Sequence, residues 1–297
     1  MATTTPACAN EFIEDELQRR LAKVEEGFGA QALGFTGPLV FGVDDLMRSV
    51  VEGLVRREGY KRRLVIVLTT AGGYIEVVQR IVETIRHHYD HVTFVVPNYA
   101  YSAGTVFAMS GNDIYMDYYS RLGPIDPQIQ KESGAAVPAL GYLAKWEALL
   151  QKAKDGTLTM VEAQLMIQGF DQGELYLYEQ ARELSVAMLK DWLVKYKFAE
   201  WHETEHARRK VTSKLRTSRA EAIARILNDT ERWHSHGHGI SREVLERDVQ
   251  LRIEDLDADS NALHASAVKA YYSLADDFIT KMGKQGMIHT TGALMFL

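Results

Sequence analysis

The residues of this chain best suited to chemistry gather on two short turns, each at the end of an apolar run. The first stretch reads Leu64-Val65-Ile66-Val67-Leu68-Thr69-Thr70-Ala71-Gly72-Gly73. The second reads Val92-Thr93-Phe94-Val95-Val96-Pro97-Asn98-Tyr99-Ala100-Tyr101-Ser102-Ala103-Gly104. Each run has the length and β-branched content of a buried strand, and each leads into a stretch with helical spacing. A strand-to-helix junction leaves backbone N–H groups without intrahelical partners, beside a positive helix end. Two such junctions aimed at one spot suit a developing oxyanion, with Ser102 at the second placed to attack a carbonyl. The structural alternative is that Ser102 caps the helix it begins, a common task for serine.

Thr70-Ala71-Gly72-Gly73, then Tyr101-Ser102-Ala103-Gly104-Thr105, then Leu122-Gly123-Pro124-Ile125-Asp126-Pro127-Gln128 resemble the serine dehydrogenase proteinase family. That family belongs to the ClpP/crotonase fold, alongside the SppA-type signal peptide peptidases. The resemblance runs over residues 35 to 250 and is densest between Leu64 and Gln128. It implies an α/β fold: a ClpP/crotonase-like core of repeated strand-turn-helix units with a helical C-terminal extension. It also implies a serine peptidase that cleaves peptides or unfolded protein segments through an acyl-enzyme. Ser102 is then the nucleophile, and Ala103 with the Gly72-Gly73 turn, Gly73 foremost, supplies the oxyanion hole.

The base is harder to place. The Clp proteolytic subunit carries a histidine near the position of Ile125 or Asp126, but this chain has no histidine between His91 and His202. Membrane-associated relatives pair the serine with a lysine some way downstream, and Lys145 stands at a similar separation. A lysine acts as base only when burial lowers it from ~10.4 to about 7–8. Otherwise Lys145 is an ordinary surface residue. Lys131, in Gln130-Lys131-Glu132-Ser133, sits in a more polar stretch. Asp126 lies between Ile125 and Pro127, where it orients a base, accepts a proton, or closes an Asx turn.

Two histidine motifs compete. His202-Glu203-Thr204-Glu205-His206 matches the zinc pattern H-E-x-x-H, but its charged flanks, Glu200 before and Arg208-Arg209-Lys210 after, predict a solvated helix rather than a metal helix. His234-Ser235-His236-Gly237-His238-Gly239 reads as a helix-ending turn, with a structural metal as the alternative. No metal and no cofactor is expected for the reaction. Two further rivals remain. One is a crotonase-like acyl-CoA hydratase or isomerase using the same paired N–H groups; the other is a non-catalytic oligomeric scaffold.

The predicted elements are a charged amphipathic helix over 11–26, a glycine-rich loop over 27–42 and a helix over 43–57. Strands follow at 64–69, 92–96 and 113–116, separated by helices at 74–88 and 102–110. Beyond Pro138 the pattern is helical, at 138–154, 160–167, 173–196, 218–230, 242–248 and 261–282. The division expected is an N-terminal segment 1–34, a catalytic core 35–136, and a helical extension 137–297 partly integral to it. With 46% hydrophobic and 25% charged residues the composition is that of a globular protein, and 297 residues bury a sizeable core. A net charge of −6 gives no electrostatic case for nucleic acid or an anionic membrane. The lone cysteine, Cys8, fits a reducing compartment. No signal peptide or run of ~18 apolar residues is apparent, so a cytoplasmic protein is expected. The fold family that the chain resembles assembles into rings, which, with the long helical tail as a surface, implies a homo-oligomer. Gly-Lys-Ser/Thr is absent, so any ATP dependence would come from a separate ATPase partner.

Overall fold

The computed structural model describes residues 8–125, 128–130, 136–204, 208–233 and 238–297. The chain runs α1 (Ala9–Phe28), β1 (Gln31–Thr36), α2 (Val43–Val55), β2 (Arg63–Thr69), α3 (Ile75–His88) and β3 (His91–Val96). The two-residue β4 (Tyr99–Ala100), α4 (Ala103–Ala108), β5 (Asp113–Met116) and β6 (Arg121–Leu122) follow. β7 (Gln128–Gln130) pairs antiparallel with β8 (Ala136–Pro138), ahead of α5 (Ala139–Lys154), α6 (Met160–Gly169) and α7 (Gln172–Trp192). α7 continues into a π-helical turn (Leu193–Lys197), and then come α8 (Ser213–Leu227), α9 (Thr230–Trp233) and α10 (Arg242–Val244). β9 (Glu254–Asp255), α11 (Ala262–Lys281), β10 (Met287–Thr290) and β11 (Ala293–Phe296) close the chain.

Seven strands form one sheet in the order β11-β10-β1-β2-β3-β5-β9. The five from β1 to β9 are parallel, while β10 and β11 add antiparallel at the β1 edge. Parallel strands joined by crossover helices are covered on both faces and so read as continuous apolar runs. β2 shows this directly. Leu64, Ile66 and Leu68 face the core shared with α2, α3, α4, α7 and α8, while Val65 and Val67 face the core under α1 and α11. Each such side chain is worth about 1.5–3 kcal/mol when fully buried. The result is a helix–sheet–helix sandwich in which β2 and β3 are central and end together at their carboxyl termini.

Two expectations need correction. Residues 27–42 are not a loop throughout: Gln31–Thr36 is a strand in the middle of the sheet. Its Gly34 is the reason it reads poorly, since a side chain there would run into the ring of Tyr271. This strand crosses the 34/35 division, and β10, from the C-terminal stretch, is its neighbour. Residues 201–204 are not helical but form part of a strand-like bridge, Glu203 to Lys210. The helical turn that H-E-x-x-H needs is therefore missing from its described half, and His206 lies outside the described residues. Among the described residues no cluster of metal-ligating side chains occurs.

Candidate active site

The two turns meet where the carboxyl ends of β2 and β3 adjoin. Thr70 N–H donates to the Tyr99 carbonyl at 3.0 Å and Tyr101 N–H to the Thr70 carbonyl at 2.9 Å, which lays β4 beside the end of β2. The contact is close enough to specify glycine. A Cβ on Gly72, whose φ is 103°, would stand 2.8 Å from the Tyr101 carbonyl oxygen and 2.9 Å from Ser102 Cβ. A Cβ on Gly104 would strike the methyl of Thr70. The third quoted segment joins them, because a Cβ on Gly123 would come within 2.9 Å of the Tyr101 ring. The Thr105 hydroxyl locks this arrangement: it lies 2.8 Å from the Ala100 carbonyl and 3.0 Å from that of Gly123, and takes the Gly123 N–H at 3.0 Å. All three segments that carry the resemblance therefore converge on one place.

Ser102 occupies the N-cap position of α4 with φ 54° and ψ −121°, yet its side chain makes no cap hydrogen bond to the helix. The cap reading therefore fails. The backbone is a sharp strand-to-helix turn in a region that L-residues avoid, the kind of strain found at nucleophile elbows. The residue is fully buried.

Around it the N–H groups sort themselves. Gly72 N–H donates to Thr70 Oγ1 at 3.0 Å, and Tyr74 N–H to the Leu39 carbonyl at 2.8 Å. Leu39 N–H in turn donates to the Gly72 carbonyl at 2.9 Å. Among the described residues, Gly73 N–H and Ala103 N–H have no acceptor. They lie on the two sides of the Gly72–Ser102 contact.

Of the predicted base residues, Lys145 alone lies among the described residues. Lys145 is exposed on α5, the helix that buries Leu143 and Leu149. Asp126 and Lys131 lie outside the described residues. Ile125, just before Asp126, is buried and donates its N–H to the Leu227 carbonyl at 2.9 Å, so the end of α8 fixes where this loop leaves the sheet. A groove of about 710 Å³ between α5, α7 and α8, with Glu147, Arg182 and Lys190 in its wall, includes none of Ser102, Gly72 and Gly73. Protein crowds the Lys197 ammonium, although the residue keeps some exposed surface, and that crowding lowers it to about 8. It sits beside Asp113, at the amino end of β5, whereas Ser102 lies at the carboxyl ends. Burial raises the Tyr101 phenol above its usual value, with nearby Arg121 opposing.

Residues 32–172 match the family model of the ClpP-like SDH-type serine proteinases. Over those residues, just under half of the chain, it resembles that family. The match accords with the ClpP-like α/β arrangement of the sheet and its helices. Two uncharacterized proteins of Methanocaldococcus jannaschii are each 28% identical to it, one over 118 residues and the other over 129. Each match takes in 40% of this chain but only 38% and 43% of the relatives' own lengths. Among solved structures, a membrane-bound stomatin-specific protease in a serine-to-alanine form has 20% identity and TM-score 0.31 over 41% of this chain and 62% of its own. A lysine-to-alanine form of that protease, in complex with a substrate peptide, has 21% identity and TM-score 0.31 over 41% and 59%. ClpP1 from Listeria monocytogenes covers 82% of this chain and 98% of its own with 10% identity and TM-score 0.42.

Thr70 and Thr105 are the residues to which sequence reasoning gave no role. Both are buried. The signal was present in Ala103-Gly104-Thr105-Val106-Phe107-Ala108, where one hydroxyl stands in an otherwise apolar helix and must find partners.

Proposed function

We propose that this chain hydrolyses peptides or unfolded protein segments through an acyl-enzyme on Ser102. The observation that carries the reading is the strained backbone of Ser102, its hydroxyl withheld from the helix cap while its Cβ lies against Gly72. Ser102 Oγ attacks the scissile carbonyl and gives its proton to the base. The oxyanion that forms is held by Gly73 N–H and Ala103 N–H, each donor being worth about 10²–10³ in rate. Collapse breaks the C–N bond, the amine leaves with the proton, and water attacks the ester to regenerate Ser102. An extended substrate fits beside the Gly72-Gly73 segment, adding to it as a strand would.

Lys145 is the proposed base, with Asp126 assisting. Lys145 is exposed, so it acts only when substrate or a second copy of the chain covers it. Homo-oligomerisation, cytoplasmic residence and service to a separate ATPase belong to the same proposal. Turnover of a quenched-fluorescent unfolded protein tests it. Ser102→Ala is expected to lower kcat by about a thousandfold or more. Lys145→Ala is expected to do the same, without rescue by Lys145→Arg, because arginine does not give up its proton. Undiminished turnover by Ser102→Ala would reject the proposal; undiminished turnover by Lys145→Ala would reject that base.

A further inference from the structure

Five tyrosines gather at the carboxyl ends of β3 and β5, next to the turn that bears Ser102. Tyr99 and Tyr101 stack with ring centroids 5.1 Å apart and planes 18° from parallel. Tyr118 and Tyr119 project from the turn after β5, and are 69% and 60% exposed. Tyr272, on α11, accepts a hydrogen bond from Asn98 Nδ2 at 2.7 Å. The phenols of Tyr99 and Tyr119 lie within electrostatic reach of both Tyr101 and Tyr272, so the group is one patch.

The exposed rings stand on a rigid support. Asp117 accepts the N–H groups of Tyr119 at 2.9 Å and Ser120 at 2.8 Å, while Asp257 accepts that of Tyr118 at 3.0 Å. The Ser120 hydroxyl lies 2.5 Å from the Val96 carbonyl, tying this turn to the end of β3. Arg121 spends its guanidinium on the Tyr118 and Ser120 carbonyls, at 2.9 and 2.8 Å. Isolated surface aromatics are ordinary, but a clustered, preorganised set is the composition of a binding hot spot. Its place fits as well, since open α/β sheets take their ligands beyond the carboxyl ends of the strands. Asp117, Asp257 and Asp276 lie near the rings, and the cations beside them are engaged, Arg121 on the Tyr118 and Ser120 carbonyls and Lys269 on Asp257 at 3.0 Å, which disfavours a phosphate or nucleic acid.

We infer that Tyr99, Tyr101, Tyr118, Tyr119 and Tyr272 form a ledge that holds aromatic and large apolar side chains of the polypeptide presented to Ser102. The inference rests on the hydrolase reading for its substrate, and takes its location from Tyr101, which precedes Ser102 and packs on Gly123. Such a ledge selects unfolded segments, because folded proteins bury the side chains it binds.

Binding to the Ser102→Ala chain tests this without turnover. Two series of fluorescein-labelled extended peptides serve as probes, one carrying Phe and Tyr and the other Ser and Gly. Anisotropy is expected to show tighter binding of the aromatic series by about tenfold or more, lost when Tyr118→Ala and Tyr119→Ala are added and kept with Tyr118→Phe and Tyr119→Phe. Equal affinity for the two series, or an aromatic preference unchanged by the alanine pair, would overturn the ledge. Circular dichroism of each variant reads folding separately. Reaction of the unsubstituted chain with a fluorophosphonate, run in parallel, reads the hydrolase assignment alone: aromatic preference without labelling rejects the hydrolase, and labelling without preference rejects the ledge.

Discussion

At the residue scale the site depends on one hydroxyl as much as on the nucleophile. Thr105 binds Ala100 and both polar groups of Gly123, all at the buried junction. Thr105→Val keeps the shape and removes the bonds, leaving Gly123 N–H unpaired. The expected cost is about 2–3 kcal/mol, with loss of Ser102 reactivity, and Thr105→Ser should restore most of both. Urea unfolding and probe labelling read the two effects; a Thr105→Val chain with native midpoint and labelling would contradict the role. His289 carries a second residue-scale expectation. It is buried in β10 with Nδ1 3.2 Å from the Tyr271 hydroxyl, and burial lowers it to about 4. Above its unfolded value of ~6.5 neither state is protonated and His289 adds no pH dependence. As pH falls from there towards 4 the unfolded chain gains a proton that the folded chain refuses, so stability drops by roughly 3 kcal/mol and then levels. His289→Gln should remove that component from the pH profile of urea unfolding, and identical profiles would refute it.

At the element scale the strand-turn-helix units were legible because their signals are local. β2, α3, β3 and β5 fall within a residue or so of the positions expected from apolar runs and glycine turns. What escaped depends on contacts remote in sequence. β1 reads as a loop because Gly34, demanded by Tyr271 far along the chain, interrupts its apolar run. β11 is partly exposed and only four residues long, and is a strand because β10 pairs with it. The convergence of Gly72, Ser102 and Gly123 was legible as a motif, whereas its cause, the Thr70 and Thr105 hydrogen bonds, was not. Gly104→Ala tests the junction as an element. The added methyl meets Thr70, so α4 must shift, and labelling should fall even where circular dichroism stays native. Unchanged labelling would show that α4 position is not critical.

At the scale of the molecule, β10 and β11 extend the sheet beyond β1. β10 pairs along β1 from Leu33↔Thr290 to Thr36↔Met287, and β11 covers β10 in turn. Deleting residues 284–297 uncovers the β1 edge, and an unprotected edge invites pairing with other chains. The shortened chain is expected to aggregate on size-exclusion chromatography, and a native elution volume would contradict this. The proposed self-association has an available surface in α6, which buries no side chain and leaves Met160 85%, Val161 67% and Ile167 81% exposed. Met160→Glu with Ile167→Glu should lower the mass seen by sedimentation without loss of helix; an unchanged mass would place the contact elsewhere.

The claim on which the rest depends is that Ser102 is an activated nucleophile, and intact-mass analysis after fluorophosphonate treatment tests it most directly. One adduct per chain is expected on the native protein and none on Ser102→Ala. A folded native chain that takes no adduct, or one whose adduct survives in Ser102→Ala, would contradict it.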